Sequence, residues 1–379
     1  MDFGFTPEQE MLKKTVHEFA EKEIAPKTDW MDETGEVPMD IIEKMAKLGF
    51  MGVLVPKEYG GLGMGHVERM ILLEEIGRVS PAMSNTVQVH HLGISPIAAF
   101  GSEEQKEKWL PPLAKGEKIA TLAVTEPAGG SDVLGMQTTA KLEGDNYVIN
   151  GRKCFITNTH IAGVSGIVAK TGEGAKGLSA FVIESDAPGF RPGRKENKFG
   201  LRGCNTGELI FENCRVPKEN RLAKEGDGLK IALASISNVG RPGITAGALG
   251  IVGRCLEEAA KYSKQRVLYG KPISDLQAIQ WHIADIYMDY EISKLLTYRA
   301  AWLRDRGERC DADNAMAKFW ATEAAVRCAQ KTMSVFGAYG GMKELVPQRL
   351  LRDAWLFIWG AGTSEIMRII MARQALKMG

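Results

Sequence analysis

The spacing at which hydrophobic residues recur changes twice along the chain, and these changes constrain the fold more than any other feature. Near the start, apolar residues recur at helical spacing after a capping box at residues 6–9, which read TPEQ. In the middle, short β-branched and aromatic runs such as 147–149 and 178–183 are separated by Gly, Asn and Asp. Long Ala-rich patterns such as 314–330 follow, and these favour helices. The order predicted is helical, sheet, helical.

These zones predict three domains. We expect an α-helical N-terminal bundle over 1–115, an antiparallel β-sheet middle domain over 116–220 and an α-helical C-terminal bundle over 221–379. A chain of 379 residues is long enough for this and can bury a sizeable core. Within the first domain, Pro38 is predicted to open a helix that Gly49 ends. The glycines of 60–63 predict a turn before a helix near 66–79.

Composition excludes several classes of protein. The formal net charge is +1, so no broad attraction to nucleic acid or to a membrane surface is expected. Six scattered cysteines form no C-x-x-C pair, which argues against a metal site or a disulfide framework and fits a reducing compartment. We see no signal or transit peptide and no apolar run long enough to cross a bilayer. We therefore expect a soluble cytoplasmic protein.

A set of short motifs occurs in one order along nearly the whole chain. They read TEPAGGSD at 125–132, KCFITN at 153–158, FGLR at 199–202 with TGEL at 206–209 and FEN at 211–213, RVLYGK at 266–271, FGAYG at 336–340 and GTSEI at 362–366. Together they resemble the acyl-CoA dehydrogenase family, whose members fold as helical bundle, β-domain and helical bundle. One such motif would be weak evidence, but six in order are strong.

The resemblance implies an FAD cofactor, with the TEPAGGSD loop running along the isoalloxazine ring. Its glycines would let the backbone approach the ligand closely. Phe155 stands where the family has Trp, so it keeps an apolar stacking surface but lacks the indole N–H donor. Thr157 would place a hydroxyl near the reactive N5 edge. The residues expected to contact FAD here are Leu122, Val124, Thr125, Ser131, Phe155 and Thr157.

The resemblance also implies that a second copy of the chain completes the site. Arg266 is expected to bind the diphosphate of the neighbouring subunit's FAD, because a guanidinium makes bidentate contacts to phosphate. Gln277 is expected to reach the same cofactor. The adenosine and diphosphate end is expected to be lined by Ser334, Gly337, Ala338, Thr363 and Glu365. Ser334 departs from the family's usual Gln. The family assembly is a dimer of dimers.

The family's reaction removes two hydrogens from an acyl-CoA thioester. A base takes the proton α to the carbonyl, and the β-hydrogen leaves as hydride to the flavin. Electron-transferring flavoprotein then usually reoxidises the reduced flavin. The residues expected to contact the acyl-CoA are Ser131, Asn238, Arg241, His90 and Gly362.

The catalytic base of the family is absent from both of its usual positions. The glutamate that precedes G-T-S is replaced by Ala361, and the glutamate that precedes the arginine of the first long C-terminal helix is replaced by Gly240. Neither residue accepts a proton. The best substitute in the sequence is His91, on a segment that borders the acyl pocket in the family, because a neutral imidazole accepts a proton near pH 7.

The sequence leaves the reaction open in several respects. Gly360 and Ala361 suggest extra volume for a cyclic or otherwise bulky acyl group. The same site would serve an enoyl-CoA reductase running in reverse. A flavin monooxygenase on the same fold needs no α-proton base, although the retained motifs favour a dehydrogenase. A non-catalytic subunit that binds a CoA ester is the alternative from another class.

Overall fold

The N-terminal part is helical in the computed structural model, which describes residues 4–378. The predicted capping box opens the first helix: Thr6 Oγ1 accepts a hydrogen bond from the Gln9 backbone N–H at 3.2 Å, and the Gln9 side chain accepts one from the Thr6 N–H at 3.1 Å. The helices are α1 (Pro7–Phe19), α2 (Thr28–Thr34), α3 (Met39–Lys47), α4 (His66–Val79), α5 (Pro81–Phe100) and α6 (Glu103–Ala114). The helices predicted after Pro38 and near 66–79 are therefore present.

The middle part is one eight-stranded sheet. Its strands are β1 (Ile119–Ala123), β2 (Thr139–Glu143), β3 (Asn146–Thr157), β4 (Ala162–Lys170), β5 (Leu178–Glu184), β6 (Phe190–Lys195), β7 (Thr206–Pro217) and β8 (Arg221–Leu222). The order is β6-β7-β3-β2-β4-β5-β8, with β1 paired to β4.

The sheet is mainly antiparallel, as predicted, but two of its pairings are parallel. β1 pairs with β4 in parallel, and β2 makes one parallel bridge with β4. The remaining pairs of this sheet are antiparallel, as the turn at Gly144, with φ 62°, requires between β2 and β3. β1 enters the sheet from the helical part of the chain. No hairpin turn sets its direction, so turn chemistry in the sequence did not reveal it.

The C-terminal part returns to helices. They are α7 (Gly228–Ser235), α8 (Arg241–Gln265), α9 (Gln277–Asp305), α10 (Asp311–Phe336), α11 (Val346–Phe357) and α12 (Ser364–Ala375). A π-helical turn, Ile236–Gly240, joins α7 to α8, and a small hairpin of β9 (Val267–Leu268) and β10 (Lys271–Pro272) follows α8.

Two buried helices connect the three parts of the fold. α4 packs closely on α8, since a Cβ added to Gly250 would lie 2.5 Å from the carbonyl oxygen of Glu74. α5 lies against the sheet: a Cβ on Gly93 would lie 2.6 Å from the backbone nitrogen of Thr121 in β1. α5 therefore has the sheet on one side and α8 on another. Between residues 4 and 378, no helix is long and apolar enough to cross a membrane.

Candidate active site

A buried ion pair fixes the TEPAGGSD loop. The Glu126 carboxylate accepts hydrogen bonds from Lys153 Nζ at 2.6 Å and from the backbone N–H groups of Gln137 and Thr138 at 2.5 and 3.1 Å. Both charged side chains are buried. Burial acts to raise the pKa of Glu126, but the charge of Lys153 and these hydrogen bonds outweigh it and lower the pKa. The glutamate of this motif is therefore a structural anion.

The ends of β1 and β3 lie side by side next to this loop. Thr121 Oγ1 donates to the Thr157 carbonyl at 2.7 Å, and the Cys154 N–H donates to the Thr125 carbonyl at 3.0 Å. Phe155 has a left-handed φ of 57° and is 66% exposed, so its ring forms part of the surface. Leu122, Val124, Thr125 and Thr157 are half-buried, and Ser131 is exposed. The structure thus groups these predicted flavin contacts along one edge.

Arg241 begins α8 as a buried cation with few partners. Its Nε lies 3.4 Å from the carbonyl oxygen of Ala361, and its Nη1 lies 3.3 Å from Ser237 Oγ. Ser237 Oγ in turn donates to Asp311 Oδ1 at 2.7 Å. Burial lowers the pKa of Arg241, and the nearby charge of Asp311 only partly offsets this. Arg241 therefore brings a positive charge to the junction of α8, α10 and the turn before α12.

The two positions that lack a glutamate face one another. A Cβ added to Gly240 would lie 3.7 Å from the Cβ of Ala361 and 3.5 Å from both methyl carbons of Leu92. These are ordinary van der Waals distances, so a Cβ at Gly240 would meet no steric barrier there. Gly240, Ala361 and Leu92 therefore enclose one small gap without a proton-accepting side chain, which we call the base gap.

The volume expected at Gly360 is already filled. A Cβ on Gly360 would lie 3.1 Å from Cδ1 of Ile244, which is tighter than a normal contact. The expected extra room is therefore confined to the base gap, and the inference from Gly360 was wrong because Ile244 of α8 occupies that space. Downstream, Gly362 has a φ of 110°, and Thr363 Oγ1 caps α12 by accepting from the Ile366 N–H at 3.4 Å. Glu365 is exposed.

A second group of predicted cofactor residues lies on the surface at the C-terminal ends of α8 and α10. The Arg266 guanidinium carbon is 6.0 Å from the centre of the Tyr339 ring, and its side chain is exposed. From residue 4 to residue 378, no carboxylate forms an ion pair with Arg266. Gln277, Ser334, Gly337 and Ala338 are exposed too. Arg266 and the exposed residues at 337–339 are thus open to a ligand or a second copy of the chain.

His90 does not line a pocket. Its side chain is fully buried, Nδ1 accepts a hydrogen bond from the Ala120 N–H at 2.9 Å, and Nε2 lies 3.1 Å from the Leu113 carbonyl. Burial lowers the pKa of His90 to about 4, so the ring is neutral. The prediction that His90 contacts substrate is therefore not supported, because the ring joins α5 to β1 and α6.

His91 is also fully engaged, and this argues against the hypothesis that it is the base. Its Nδ1 accepts from Nε of Arg69 at 3.2 Å, and its Nε2 lies 2.9 Å from the Phe50 carbonyl, to which it donates. Burial and the charge of Arg69 lower the pKa of His91 well below its usual value. Neither ring nitrogen has a free lone pair, so the ring offers no place for an α-proton.

A cavity of about 380 Å³ lies beside Arg241. It is lined by residues of the π-helical turn before α8 and of the loop between α9 and α10. Ser237 and Asn238 provide its polar groups, and Arg304, Arg309, Glu308 and Asp311 provide its charged groups. Asn238, predicted to contact substrate, therefore lines a cavity that holds two arginines and two carboxylates.

Sequence reasoning missed several buried cations, among them Lys153 and Arg69. Lys153 was noted only as the start of a motif, although it neutralises Glu126. Arg69 was not singled out at all, although it stands as a lone cation ahead of the apolar run 70–73 in α4. A charge on a face that is otherwise apolar was the signal available for it.

The surfaces around these residues fit the FAD that the motifs imply. Phe155 offers an exposed aromatic face that can stack on a flat ring. Arg266 offers a guanidinium without a carboxylate partner in the described part of the chain, as a diphosphate would require. The backbone at Gly337, with φ 61°, meets no other atom within 4 Å of an added Cβ, so a ligand can approach it.

Family models match nearly the whole chain in three parts. They are described as acyl-CoA dehydrogenase, N-terminal domain (residues 6–117), middle domain (121–214) and C-terminal domain (226–376). Each match falls within one of the helical, sheet and helical parts described above.

Individual proteins are similar over their full lengths. An acyl-CoA dehydrogenase of Bacillus subtilis (strain 168) is 45% identical over 98% of both chains. The caffeyl-CoA reductase-Etf complex subunit CarC of Acetobacterium woodii is 40% identical over 98% of this chain and 99% of its own. The structure of butyryl-CoA dehydrogenase from Megasphaera elsdenii has a TM-score of 0.97 and 36% identity, covering 99% of this chain and 100% of that one. The chain is therefore an FAD-dependent oxidoreductase of the acyl-CoA dehydrogenase family, acting on CH–CH bonds.

Proposed function

We propose that this chain removes the α- and β-hydrogens of a CoA thioester and passes the electrons to electron-transferring flavoprotein. Three structural features that lie next to one another support the proposal. The edge formed by β1 and β3 carries the predicted flavin contacts, α5 crosses between that edge and α8, and Arg241 brings a buried positive charge next to Ala361. A flavin and a thioester would meet there.

The residues at the sheet edge would hold the cofactor. Bound FAD would supply the two-electron chemistry that dehydrogenation of a carbon–carbon bond requires. Phe155 would stack against the isoalloxazine ring, and Thr157 would contribute a hydroxyl at its edge. The ion pair of Glu126 and Lys153 would keep the loop in shape, because both charges are buried and bonded before any ligand arrives. The remaining proposed contacts in this region are Leu122, Val124, Thr125 and Ser131.

The second group of cofactor residues would act on the FAD of another copy. Arg266, Gln277 and Ser334 are exposed, and Tyr269 at the tip of the adjoining hairpin is 90% exposed. Because Arg266 has no carboxylate partner in the described part of its own chain, its guanidinium is suited to bind a phosphate of the FAD held by a neighbouring copy. We place Gly337, Ala338, Thr363 and Glu365 at the adenosine and diphosphate end of the cofactor. The proposed assembly is a dimer of dimers.

The CoA part of the substrate would enter through the cavity beside Arg241. Arg304 lies at that cavity, and its guanidinium can bind a phosphate of CoA, whereas Arg309 pairs with Asp311 at 2.8 Å. Asn238 would bind the polar chain that links these phosphates to the thioester, since its amide both donates and accepts. Arg241 would orient the thioester end. The exposed Ser131 and the backbone of Gly362 complete the proposed substrate contacts.

The α-proton has no acceptor at the two positions where the family carries its glutamate. Gly240 and Ala361 have no such group, and both nitrogens of His91 are engaged. The proton must therefore pass to a group other than these three, such as water, another side chain or a group on the substrate. Because neither Gly240 nor Ala361 extends a glutamate side chain into the base gap, we propose substrates whose acyl group is cyclic or branched near the reacting carbons.

Reduction of an enoyl-CoA is the second candidate. The observation that favours it is the 40% identity, over almost the full length, to a subunit of a caffeyl-CoA reductase-Etf complex. The same residues would bind substrate and cofactor in both directions. The direction would then depend on the potentials of the thioester pair and of the electron partner.

The test is product analysis by mass spectrometry. The purified flavoprotein is incubated with linear, branched and alicyclic acyl-CoA esters and a dye that accepts electrons. We expect at least one ester to lose two hydrogens and to gain an α,β-double bond. If saturated esters remain unchanged while the dithionite-reduced protein converts an enoyl-CoA to its saturated form, the reductase assignment replaces the first. If neither conversion occurs with any ester, both assignments fail.

A further inference from the structure

Among residues 4–378, Arg69 is a buried cation without a counter-charge. Its side chain is 0% exposed, yet within this range only Nε has a partner, the Nδ1 atom of His91 at 3.2 Å. Nη1 and Nη2, which carry four of its five N–H groups, have no hydrogen-bond partner in the described part of the chain. Burial lowers the pKa of Arg69 to about 9, so the guanidinium remains protonated near neutral pH. Burial of an unpaired charge is strongly unfavourable, so such an arrangement calls for an explanation.

The guanidinium lies close to the base gap. A Cβ on Gly243 would be 2.7 Å from Arg69 Nη2 and 2.8 Å from Cγ of Gln88. Gly243 of α8 follows Gly240 of the preceding π-helical turn by three residues, and Gln88 precedes Leu92 by four residues on α5. Arg69 therefore sits roughly one helical turn, about 5 Å, beyond the base gap along the contact between α5 and α8. The Oε1 atom of Gln88 also has no partner there among residues 4–378.

Arg78, a second arginine of α4, differs from Arg69 because it is paired with carboxylates. Arg78 also faces α8, where a Cβ on Gly253 would lie 2.6 Å from its Nη1. It bonds to Glu257 at 2.5 Å, to Glu74 at 2.9 Å and to Tyr290 at 2.6 Å. Arg78 is thus neutralised within the protein.

Arg69 faces the same helix with a neutral imidazole as its bonded partner. The carboxylates that surround Arg78 have no counterpart around Arg69 within residues 4–378. The missing anion must then come from outside the described chain.

We infer that Arg69 binds a carboxylate at the far end of the substrate's acyl group, so that the substrate is the CoA thioester of a dicarboxylic acid. This inference rests on the proposed function and specifies its substrate class. A carboxylate would accept two parallel hydrogen bonds from Nη1 and Nη2 and neutralise the buried charge. An acyl group that ends in a methyl group would leave the guanidinium unpaired. Arg69 therefore determines which acyl group binds and takes no part in the chemical step.

The experiment compares two matched series of ligands on the FAD-loaded protein. One series contains monothioesters of dicarboxylic acids with five to eight carbon atoms, and the other contains monocarboxylic esters of equal length. Binding is followed anaerobically by the change in flavin absorbance. We expect the best dicarboxylic ester to bind about a hundredfold more tightly than its monocarboxylic counterpart, as is typical when a buried charge gains or loses its partner.

Variants of Arg69 assign the preference to this side chain. Arg69→Met should remove the preference while retaining affinity for the monocarboxylic esters, and Arg69→Lys should keep part of it. Arg254→Met removes another arginine, one of α8 that pairs with Glu21 and Glu258 at the surface, and should leave the preference intact. If Arg69→Met fails to bind FAD, the comparison of the two series on the unaltered protein still shows whether dicarboxylic esters bind more tightly.

The outcomes separate this inference from the proposed function. Equal affinity for both series on the unaltered protein overturns the role of Arg69 and leaves the proposed function standing. A preference for dicarboxylic esters that survives in Arg69→Met overturns the role of Arg69 as well. Failure of both series to bind overturns the role of Arg69, whereas the proposed function fails only if the branched and alicyclic esters of the product analysis are left unchanged as well.

Discussion

Ala361 and Gly240 lie on two sides of the same gap, so a carboxylate introduced at either position would reach the same place. Ala361 already has a left-handed φ of 54°, and a glutamate there would add little backbone strain to what alanine bears. Gly240 has an ordinary helical φ of −64°. The two positions are therefore suitable for restoring a base.

We predict that Ala361→Glu accelerates flavin reduction by a linear saturated acyl-CoA on the order of a hundredfold, the usual contribution of a positioned general base. The rate is measured by rapid anaerobic mixing. Ala361→Gln serves as the control, because it has nearly the same size and cannot take a proton. Equal rates for the Glu and Gln variants would contradict the account of the base gap.

The buried carboxyl group of Asp353 makes the stability of the fold fall as the pH rises. Its carboxylate accepts from the Leu201 N–H at 2.5 Å, and burial raises its pKa to about 6 despite Arg349 and Arg352 nearby. A carboxyl whose pKa is higher in the folded state than in the unfolded state stabilises the fold fully below about pH 4. That contribution is lost as the pH rises through 6. Ionised Asp353 therefore costs about 3 kcal/mol above pH 7.

We predict that Asp353→Asn removes this pH dependence, because the amide oxygen can still accept from Leu201 and cannot ionise. Thermal or urea unfolding midpoints of the FAD-loaded proteins are compared from pH 5 to pH 8. The variant should gain stability relative to the parent as the pH passes 6. Midpoints that stay parallel over this range would show that Asp353 does not titrate there.

Among the helices, α9 carries an unusual exposed stripe. Trp281, Met288, Leu295 and Trp302 recur every seven residues, and each is between 47% and 68% exposed. Seven residues make nearly two turns, so these side chains lie on one face. A row of large apolar side chains in water marks an interaction surface. Since we propose a dimer of dimers, a second copy of the chain is the partner that fits.

We predict that replacing Met288 and Leu295 together by Glu reduces the oligomer to a smaller species, because two charges would be buried at the interface. Mass is measured by light scattering after size exclusion. Leu142→Glu is the matched control, since Leu142 is a comparably exposed apolar residue of β2. An unchanged mass for the α9 variant would show that this stripe is not an interface.

For the molecule as a whole, local signals predicted the architecture. The capping box at Thr6, the turn at Gly144 and the strand around Tyr147 each depend on a few neighbouring residues, and each is present in the structure. These signals gave the order of helical, sheet and helical parts, which the family comparison confirms.

The features that the sequence did not reveal depend on contacts between distant residues. His91 is engaged by Arg69, 22 residues earlier, and by the carbonyl of Phe50, 41 residues earlier. Ile244 fills the space beside Gly360 from another helix. The parallel pairing of β1 with β4 depends on how the chain runs between these two strands. Patterns of spacing along the sequence carry no information on such contacts, so the motifs led to a prediction for the cofactor edge, whereas the surroundings of His91 and Gly360 were beyond them.

We propose that a flavin and a CoA thioester share the site where α5 crosses between the sheet edge and α8. The decisive experiment is an anaerobic titration of the purified FAD-loaded protein with cyclic, branched and dicarboxylic acyl-CoA esters. We predict that at least one ester bleaches the flavin absorbance in proportion to the thioester added. Protein that stays colourless with FAD, or flavin that responds to no CoA ester in either redox state, would contradict the claim.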